Sequence, residues 1–318
     1  MKQFIPIPPL IFSILISLPA CSQKDKSPDR DLSDDQLTVT EMDFTGPSHE
    51  RNFVFLTTTG DTSLTVPWLL QTTPDSNVVF REARGWISRG SIWELFLAEH
   101  WETPPTRYPA RILPHGSFRI VVGERDVLDG LIYAHQSRIL ELTFGTLLTQ
   151  WSGPREERLQ LLEASLYLGQ ERTNGVVLDM ARLSSTAIQP LGDWAFLTSG
   201  DSLQVIVQGD MEHKVESPPN YRGWVRLGTE ELHWPSLMIN WTSTSAHQPA
   251  RRDLPISWTI SSTNDPIDGN LEVSASEIIT GTGLGPVLPV QALLEVVGDI
   301  SIDGSSFPVH GLFNHRRR

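Results

Sequence analysis

Short apolar runs separated by turn residues dominate the chain from residue 49 onward. The runs are rich in β-branched and aromatic residues, and glycine, proline, asparagine and aspartate separate them. They include NFVFLTTTG, SLTVPWLLQ, SIWELFLAEHW, SRILELTFGTLLTQW and ALLEVVGDISIDG. The best helical candidate is GPREERLQLLEASLYLG, whose second half also fits a strand. The pattern therefore predicts an all-β body with helix as a minor component.

The two halves of this body match each other at a nearly constant offset. FVFLTTTGDTSLTV at 53–66 parallels WAFLTSGDSLQV at 194–205, and the Arg-Gly-Trp of 84–86 recurs at 222–224. Further matches join Trp101 to Trp241, Ser117-Phe118 to Ser257-Trp258, Asp129-Gly130 to Asp268-Gly269, and Leu161-Leu162-Glu163 to Leu293-Leu294-Glu295. The repeats predict two tandem antiparallel β-barrels, at 49–189 and 190–318, because closure removes exposed sheet edges.

The first residues have the order of an export signal. Lys2 precedes an apolar stretch at 4–18, and Leu-Pro-Ala leads into Cys21. The stretch is short and carries three prolines, so a stable membrane-spanning helix is not expected. Leu-Pro-Ala-Cys resembles the lipobox of bacterial lipoproteins, which implies cleavage after residue 20 and a lipid on Cys21. The alternative is a plain secretory signal with an incidental cysteine.

The segment after the signal is polar and charged. Residues 21–48 contain few large apolar side chains, so we expect a lipid-bearing cysteine followed by a flexible tether. Acyl chains on Cys21 would hold the protein on a bilayer. Ser22 stands where, by resemblance to sorting rules of such lipoproteins, an aspartate would favour inner-membrane retention. An outer-membrane, periplasm-facing location is therefore expected.

Composition excludes several classes of function. The net charge of −13 becomes −14 once Lys2 leaves with the signal, which argues against nucleic acid as a partner. The single cysteine excludes an internal disulfide. The nine histidines lack metal-ligand spacing, there is no Gly-x-Ser-x-Gly elbow, and the glycines of 281–285 precede no helix. No metal or other cofactor is therefore expected.

Two segments carry a resemblance to a known family. LPISWTISSTNDPIDGNLEVSASEI at 254–278 and ALLEVVGDISIDGSSFPVHGLFNH at 292–315 resemble the C-terminal half of the carotenoid 1,2-hydratase (hydroxyneurosporene synthase) family and its secreted, lipocalin-like (AttH-like) relatives. The resemblance implies two tandem lipocalin-like barrels. The family's Trp-Trp-Tyr-like element is replaced here by 52–55 (NFVF), and its Asp-His-Glu-Trp-like element by 177–182 (VLDMAR). Asp179 is the one candidate for the acid that protonates an alkene in the hydratases.

Seven tryptophans in the predicted strands have two interpretations, ordinary barrel core or the wall of a ligand pocket. They are Trp86, Trp93, Trp101, Trp224, Trp234, Trp241 and Trp258. Alternation in SIWELFLAEHW places Trp93, Leu95, Leu97 and Trp101 on one face. Glu99 shares that face and is a second candidate acid, whereas His100 and Glu102 face away.

Together these observations predict a lipoprotein of the outer membrane that binds or chaperones a hydrophobic, lipid-like small molecule without catalysis. One alternative is a hydratase, isomerase or cyclase acting on an apolar substrate, with Asp179 or Glu99 as the acid. Another alternative is an accessory component of an envelope ABC-transport complex that uses the barrel rims to contact a transporter.

Overall fold

The structure is a computed structural model that describes residues 47–58, 63–124, 127–153, 157–184, 192–209, 220–283 and 285–317. The expected signal, Cys21 and nearly all of the expected tether lie outside these residues. Within the described residues, no helix has the length and apolar character needed to cross a membrane. A short 3₁₀ helix is present at Gln248–Ala250.

The first sheet contains nine antiparallel strands. They are β1 (Ser48–Thr57), β2 (Leu64–Pro74), β3 (Val79–Arg89), β4 (Ile92–Thr103), β5 (Phe118–Val122), β6 (Leu128–His135), β7 (Arg138–Ser152), β8 (Arg158–Leu168) and β9 (Glu171–Ser184). Their order is β4-β3-β2-β1-β9-β8-β7-β6-β5, so β4 and β5 are the two edges. The helical candidate of the sequence is strand β8 over its described part.

The second sheet is a closed antiparallel barrel. Its strands are β10 (Trp194–Ser199), β11 (Leu203–Gly209), β12 (Tyr221–Leu227), β13 (Glu230–His247), β14 (Arg252–Ser261), β15 (Ile267–Thr280), β16 (Val290–Ile302) and β17 (Ser305–Arg317). Consecutive strands pair, and β17 returns to β10. The all-β fold of two tandem lipocalin-like barrels predicted from the sequence is thus confirmed.

Strand β13 explains why one sheet closes through hydrogen bonds and the other does not. It is 18 residues long, and residues 230–237 pair with β12 while 238–247 pair with β14. In the first sheet, β4 and β5 together occupy this place, with residues 104–117 inserted between them. Side chains close this gap. The Glu99 carboxylate accepts a hydrogen bond from the Ser117 amide at 3.0 Å, and the Phe96 ring meets the Tyr133 ring edge-on.

This correspondence corrects part of the predicted repeat. Trp86 and Trp224 both face the interface between the barrels, and Leu162 and Leu294 both face a barrel interior, as matched positions should. The matches of Ser117-Phe118 with Ser257-Trp258 and of Asp129-Gly130 with Asp268-Gly269 are displaced by one strand. They equate β5 with β14 and β6 with β15. The pairing order instead equates β6 with β14 and β7 with β15. Short Ser-aromatic and Asp-Gly pairs recur in successive hairpins, so they cannot fix which strand matches which.

The two barrels share an apolar interface. The outer faces of β1, β2, β8 and β9 pack against those of β10, β11, β16 and β17, with Trp86 and Trp224 at its margin. Buried polar contacts fix the alignment. Glu295 accepts hydrogen bonds from Ser88 Oγ at 2.8 Å and Ser63 Oγ at 3.2 Å, and Arg316 donates two to Glu50, each of 3.0 Å. Because parts of these strands are buried on both faces, they contain continuous apolar runs such as 53–56 (FVFL) and 176–178 (VVL) rather than strict alternation.

Candidate ligand cavity in the first barrel

A cavity of about 150 Å³ lies at one end of the first barrel. Strand pairing sets one row of its wall: His49 of β1 lies opposite Thr72 of β2, Thr72 opposite Arg81 of β3, and Arg81 opposite Trp101 of β4. All four side chains point inward, because each lies an even number of residues from an inward-facing residue on the same strand. Those residues are Phe53, Leu70, Ala83 and Leu97. The register therefore brings a basic and an aromatic group together from four strands.

The apolar part of the wall comes from strands and from the inserted segment. Leu70 and Phe118 lie on β2 and β5, while Ile112 and Leu113 belong to residues 104–117. Trp101 stacks on His115 of the same segment, with the ring centroids 4.8 Å apart. An apolar cavity of about 150 Å³ is large enough for a benzene ring. The wall thus encloses the volume of one ring or a short alkyl chain.

Arg81 joins the barrel wall to the inserted segment. Only 4% of this residue is exposed. Its Nε donates to Thr103 Oγ1 at 3.1 Å and its Nη1 to the Arg111 carbonyl at 2.7 Å, whereas its Nη2 is buried without a hydrogen-bond partner in the structure as described. Burial lowers the pKa of Arg81, but an arginine remains a cation at neutral pH. A buried positive charge therefore faces the cavity.

The charge of Arg81 also acts on His49. Burial, and then the positive charge of Arg81, lower the pKa of His49 below its usual 6.5. The imidazole is therefore neutral at pH 7. A neutral imidazole can accept a proton and return it, which is the usual requirement for general acid-base catalysis.

Asp179 lies beside the cavity and forms an ion pair with Arg51. Arg51 Nε donates to its Oδ1 at 2.8 Å and Arg51 Nη2 to its Oδ2 at 2.6 Å, with Arg158 Nη2 3.5 Å from Oδ2. Arg51 and Arg158 both line the cavity. Two guanidinium groups thus share one carboxylate, whose two oxygens accept hydrogen bonds from Arg51. The role of Asp179 as a catalytic acid stays a prediction.

Glu99 lies on the inward face of β4, as alternation predicts, but its contacts are structural. Its carboxylate accepts the Ser117 amide hydrogen bond that links β4 to the start of β5. The backbone of Gly116, beside the Glu99 carboxylate, has φ +53°. This left-handed conformation favours glycine. Whether Glu99 acts as an acid is likewise untested.

The predicted face of β4 is interrupted by a bulge. Gly85 pairs with Leu97, but the next residue of β3, Trp86, pairs with Leu95, so β4 has one extra residue, Phe96. Leu97 and Trp101 therefore point inward, whereas Trp93 packs at the interface between the barrels. The expectation that Trp93, Leu95, Leu97 and Trp101 share one face was wrong, because period-2 alternation does not survive an inserted residue.

The seven predicted ligand-lining tryptophans occupy three different places. Trp101 lines the cavity. Trp234, Trp241 and Trp258 belong to the core of the second barrel, and Trp86, Trp93 and Trp224 belong to the interface between the barrels. The structure does not bring the seven together, and ligand contact by any of them stays a prediction.

Sequence reasoning did not single out the basic residues of this cavity, which are His49, Arg51, Arg81, Arg158 and Arg182. A signal for two of them was present. His49 and Arg51 keep the same alternation as Phe53 and Phe55, which predicts basic side chains on the inward face of β1. A charge at an inward position of an apolar strand is unusual, since buried charges need partners or a function.

At the corresponding end of the second barrel, the described residues form a buried polar cluster. The Asp193 carboxylate lies 2.8 Å from His315 Nδ1 and accepts the Arg316 amide at 2.9 Å. His315 is 0% exposed, its ring meets Trp241 edge-on at 5.3 Å, and Arg317 covers Trp241 at 5.0 Å. A carboxylate that orients an imidazole is also found in catalytic sites. Here the imidazole is sealed from solvent.

Within the part of the chain that the structure describes, no three histidine, aspartate or glutamate side chains come together in a possible metal site. No family model and no curated protein matches the sequence. The fold and cavity define a protein built from two lipocalin-like barrels, and solved structures share this architecture.

Two of these structures are similar over most of their length. An AttH-like protein from Nitrosomonas europaea has a TM-score of 0.57 and 11% identity, over 85% of this chain and 91% of that one. Kievitone hydratase from Nectria haematococca has a TM-score of 0.52 and 14% identity, over 86% and 89%. At these identities the likeness establishes the shared fold and nothing about the reaction.

Proposed function

We propose that the protein binds an apolar small molecule in the end cavity of the first barrel and acts on it by acid-base chemistry of the hydratase, isomerase or cyclase type. One observation carries the proposal: the cavity joins an aromatic and aliphatic wall to the neutral imidazole of His49 and the buried cation of Arg81. Kievitone hydratase is named for a hydration reaction, and its shared fold supports placing hydration among the candidates.

In this proposal His49 is the proton-transfer group and Arg81 stabilises charge. In a hydration, His49 would accept a proton from water as the oxygen adds to an activated double bond. It would then return that proton to the neighbouring carbon. Arg81 would stabilise the negative charge that develops on the activating oxygen of the substrate. Glu99 and Asp179 are not needed, since both carboxylates already have hydrogen-bond partners.

The test uses two small conjugated probes that differ in charge, benzylideneacetone and cinnamate. Hydration and deuterium incorporation from heavy water are followed by NMR with the wild-type protein and with His49→Gln. We expect turnover of at least one probe by the wild type and a loss of about 10²- to 10⁴-fold in the variant, the range typical of one acid-base group. Unchanged thermal unfolding of the variant serves as the folding control. Equal rates in both proteins would contradict the role of His49.

A second candidate function is binding or chaperoning without catalysis. The contacts of both predicted acids favour it, because Glu99 accepts a hydrogen bond from the Ser117 amide and Asp179 is paired with Arg51. Native mass spectrometry of protein purified from its own host would separate the two candidates. A co-purifying ligand that the protein leaves chemically unchanged favours binding alone, and a ligand that is converted on incubation favours the enzyme.

We further propose that Cys21 carries the lipid that holds the protein on the outer membrane, facing the periplasm, where barrel rims could contact an envelope transporter. Support comes from the sequence order of Lys2, the apolar stretch and Leu-Pro-Ala-Cys. Metabolic labelling with an alkyne-bearing palmitate tests this proposal. Label should enter the wild type and not Cys21→Ser, and an unlabelled wild-type protein would contradict it.

A further inference from the structure

Three buried N–H donors without partners belong to residues that line this cavity. Arg81 Nη2, Arg158 Nε and Arg182 Nε are shielded from solvent, and none has a hydrogen-bond acceptor in the described structure. The two Nη atoms of Arg182 donate to the Gly192 carbonyl, whereas Arg81 and Arg158 have further nitrogens towards the cavity end of the first barrel. A buried donor left without an acceptor costs roughly 1–3 kcal/mol, so native proteins rarely retain one without a reason. An acceptor supplied by a ligand would satisfy the donors of Arg81 and Arg158.

The charges around the cavity favour an anion over a neutral acceptor. Arg51 and Arg158 share the single carboxylate of Asp179, and no carboxylate of the described residues pairs with Arg81. The two acidic residues on the wall have cations of their own, since Glu50 pairs with Arg316 and Glu82 with Arg84. The cavity therefore carries excess positive charge although the whole protein is acidic.

The shape of the wall limits the rest of the ligand. Leu70, Trp101, Ile112 and Phe118 form the apolar part of the wall around a volume of about 150 Å³. This volume encloses one ring or a short chain. A long acyl chain would therefore be only partly enclosed.

From these observations we propose that the cavity is a carboxylate-binding site for a small apolar acid, whose ring or short chain packs on Trp101 and whose carboxylate accepts hydrogen bonds from Arg81 and Arg158. This inference rests on the proposed function and names its ligand class. Hydrogen bonds between a guanidinium and a carboxylate are among the stronger ones, and burial increases them further.

Arg81 also has a structural role, because it anchors the inserted segment through Thr103 and the Arg111 carbonyl. Loss of binding in an Arg81 variant alone would therefore not separate recognition from folding. A comparison of ligands on the unaltered protein does separate them, because only the ligand charge then changes.

The experiment measures binding of 3-phenylpropanoate and 3-phenylpropan-1-ol to the full chain by calorimetry and tryptophan fluorescence. These probes share the ring and the chain length and differ in the carboxylate. We expect the wild type to bind the acid at least tenfold more tightly than the alcohol. Arg81→Met and Arg158→Met should each reduce this ratio towards one. Arg89→Met is the matched control, since Arg89 lies on the same strand as Arg81 and pairs with Glu171, and neither residue lines this cavity.

The outcomes distinguish the carboxylate site from apolar binding in the cavity. Equal affinity of the wild type for acid and alcohol overturns the carboxylate site and leaves apolar binding in place. Binding of neither probe overturns both the site and the proposed function. If Arg81→Met unfolds, the wild-type ratio and Arg158→Met still decide, because the Arg158 side chain is 43% exposed. An effect of Arg89→Met equal to that of Arg81→Met would show that general charge, not the site, sets affinity.

Discussion

The two barrels end differently although their strands correspond. In the second barrel the unbroken strand β13 pairs with both neighbours, and Asp193, His315 and Trp241 form a buried cluster at the end. In the first barrel residues 104–117 interrupt the corresponding strand, and a cavity with basic groups lies at the same end. The comparison associates the insertion in one strand with a cavity lined by basic groups, and the unbroken strand with a buried Asp-His pair.

The largest effect is expected from an inward-facing tryptophan of the second barrel. Trp258 is 1% exposed and stacks on Phe313 with ring centroids 4.8 Å apart. Trp258→Ala should lower the free energy of unfolding by about 3–5 kcal/mol, because the cavity it creates cannot collapse. Urea denaturation monitored by circular dichroism measures this value. A loss below about 1 kcal/mol would contradict a tightly packed second barrel.

The Asp193–His315 pair of the second barrel should contribute more to the free energy of unfolding than the Asp179–Arg51 pair of the first. Asp193→Ala leaves buried donors of His315 and Arg316 without an acceptor, and we expect a loss of about 3 kcal/mol in the free energy of unfolding. Asp179→Ala should cost less, since the Arg51 and Arg158 side chains are 23% and 43% exposed and can be hydrated. The same denaturation experiment compares them, and the reverse order would refute this distinction.

Trp101 should affect binding rather than stability. It is partly exposed on the cavity wall, so Trp101→Ala should lower the free energy of unfolding by only about 1 kcal/mol, well below the effect at Trp258. Affinity for an apolar probe should fall by about tenfold, because the ring loses its main contact surface. Calorimetry with 3-phenylpropanoate measures the affinity. Unchanged affinity would place the ligand elsewhere.

The smallest effect on the free energy of unfolding is expected from a change in pH. Burial lowers the pKa of both His49 and His310, so the unfolded chain binds protons that the folded chain does not. Stability from these groups is complete above about pH 6.5 and falls as the pH decreases below it. The lowered pKa of Asp193, caused by His315 against the effect of burial, acts in a separate window, where stability is lost below about pH 3.8.

Urea denaturation between pH 8 and pH 5 tests this expectation for the wild type, His49→Gln and His310→Gln. Each substitution should reduce the slope of stability against pH in this range. A wild-type stability that is constant or rises towards pH 5 would be inconsistent with both lowered pKa values.

Alternation of apolar and polar residues was sufficient to predict the β-fold and the inward direction of Trp101 and Glu99. It failed at Trp93, because the extra residue Phe96 shifts the register of β4. It could not separate Trp86 and Trp224, at the interface, from Trp234 and Trp258, in a barrel core. A strand such as β12 buries apolar side chains on both faces, so alternation does not show which face is inward. Local patterns therefore predicted the strands but not whether a given side chain faces a barrel interior or the interface between the barrels.

The sequence by itself determined that the body is β-rich and contains two similar halves, because strand periodicity and turn residues are local properties of the chain. Only the tertiary structure decided that Arg51, Arg81 and Arg158 surround one cavity and that Asp179 is already paired. Those relations depend on register between strands that are far apart in sequence, such as β1 and β9, and on where residues 104–117 pack. Neither the register nor the packing of an insertion is encoded in the alternation of neighbouring residues.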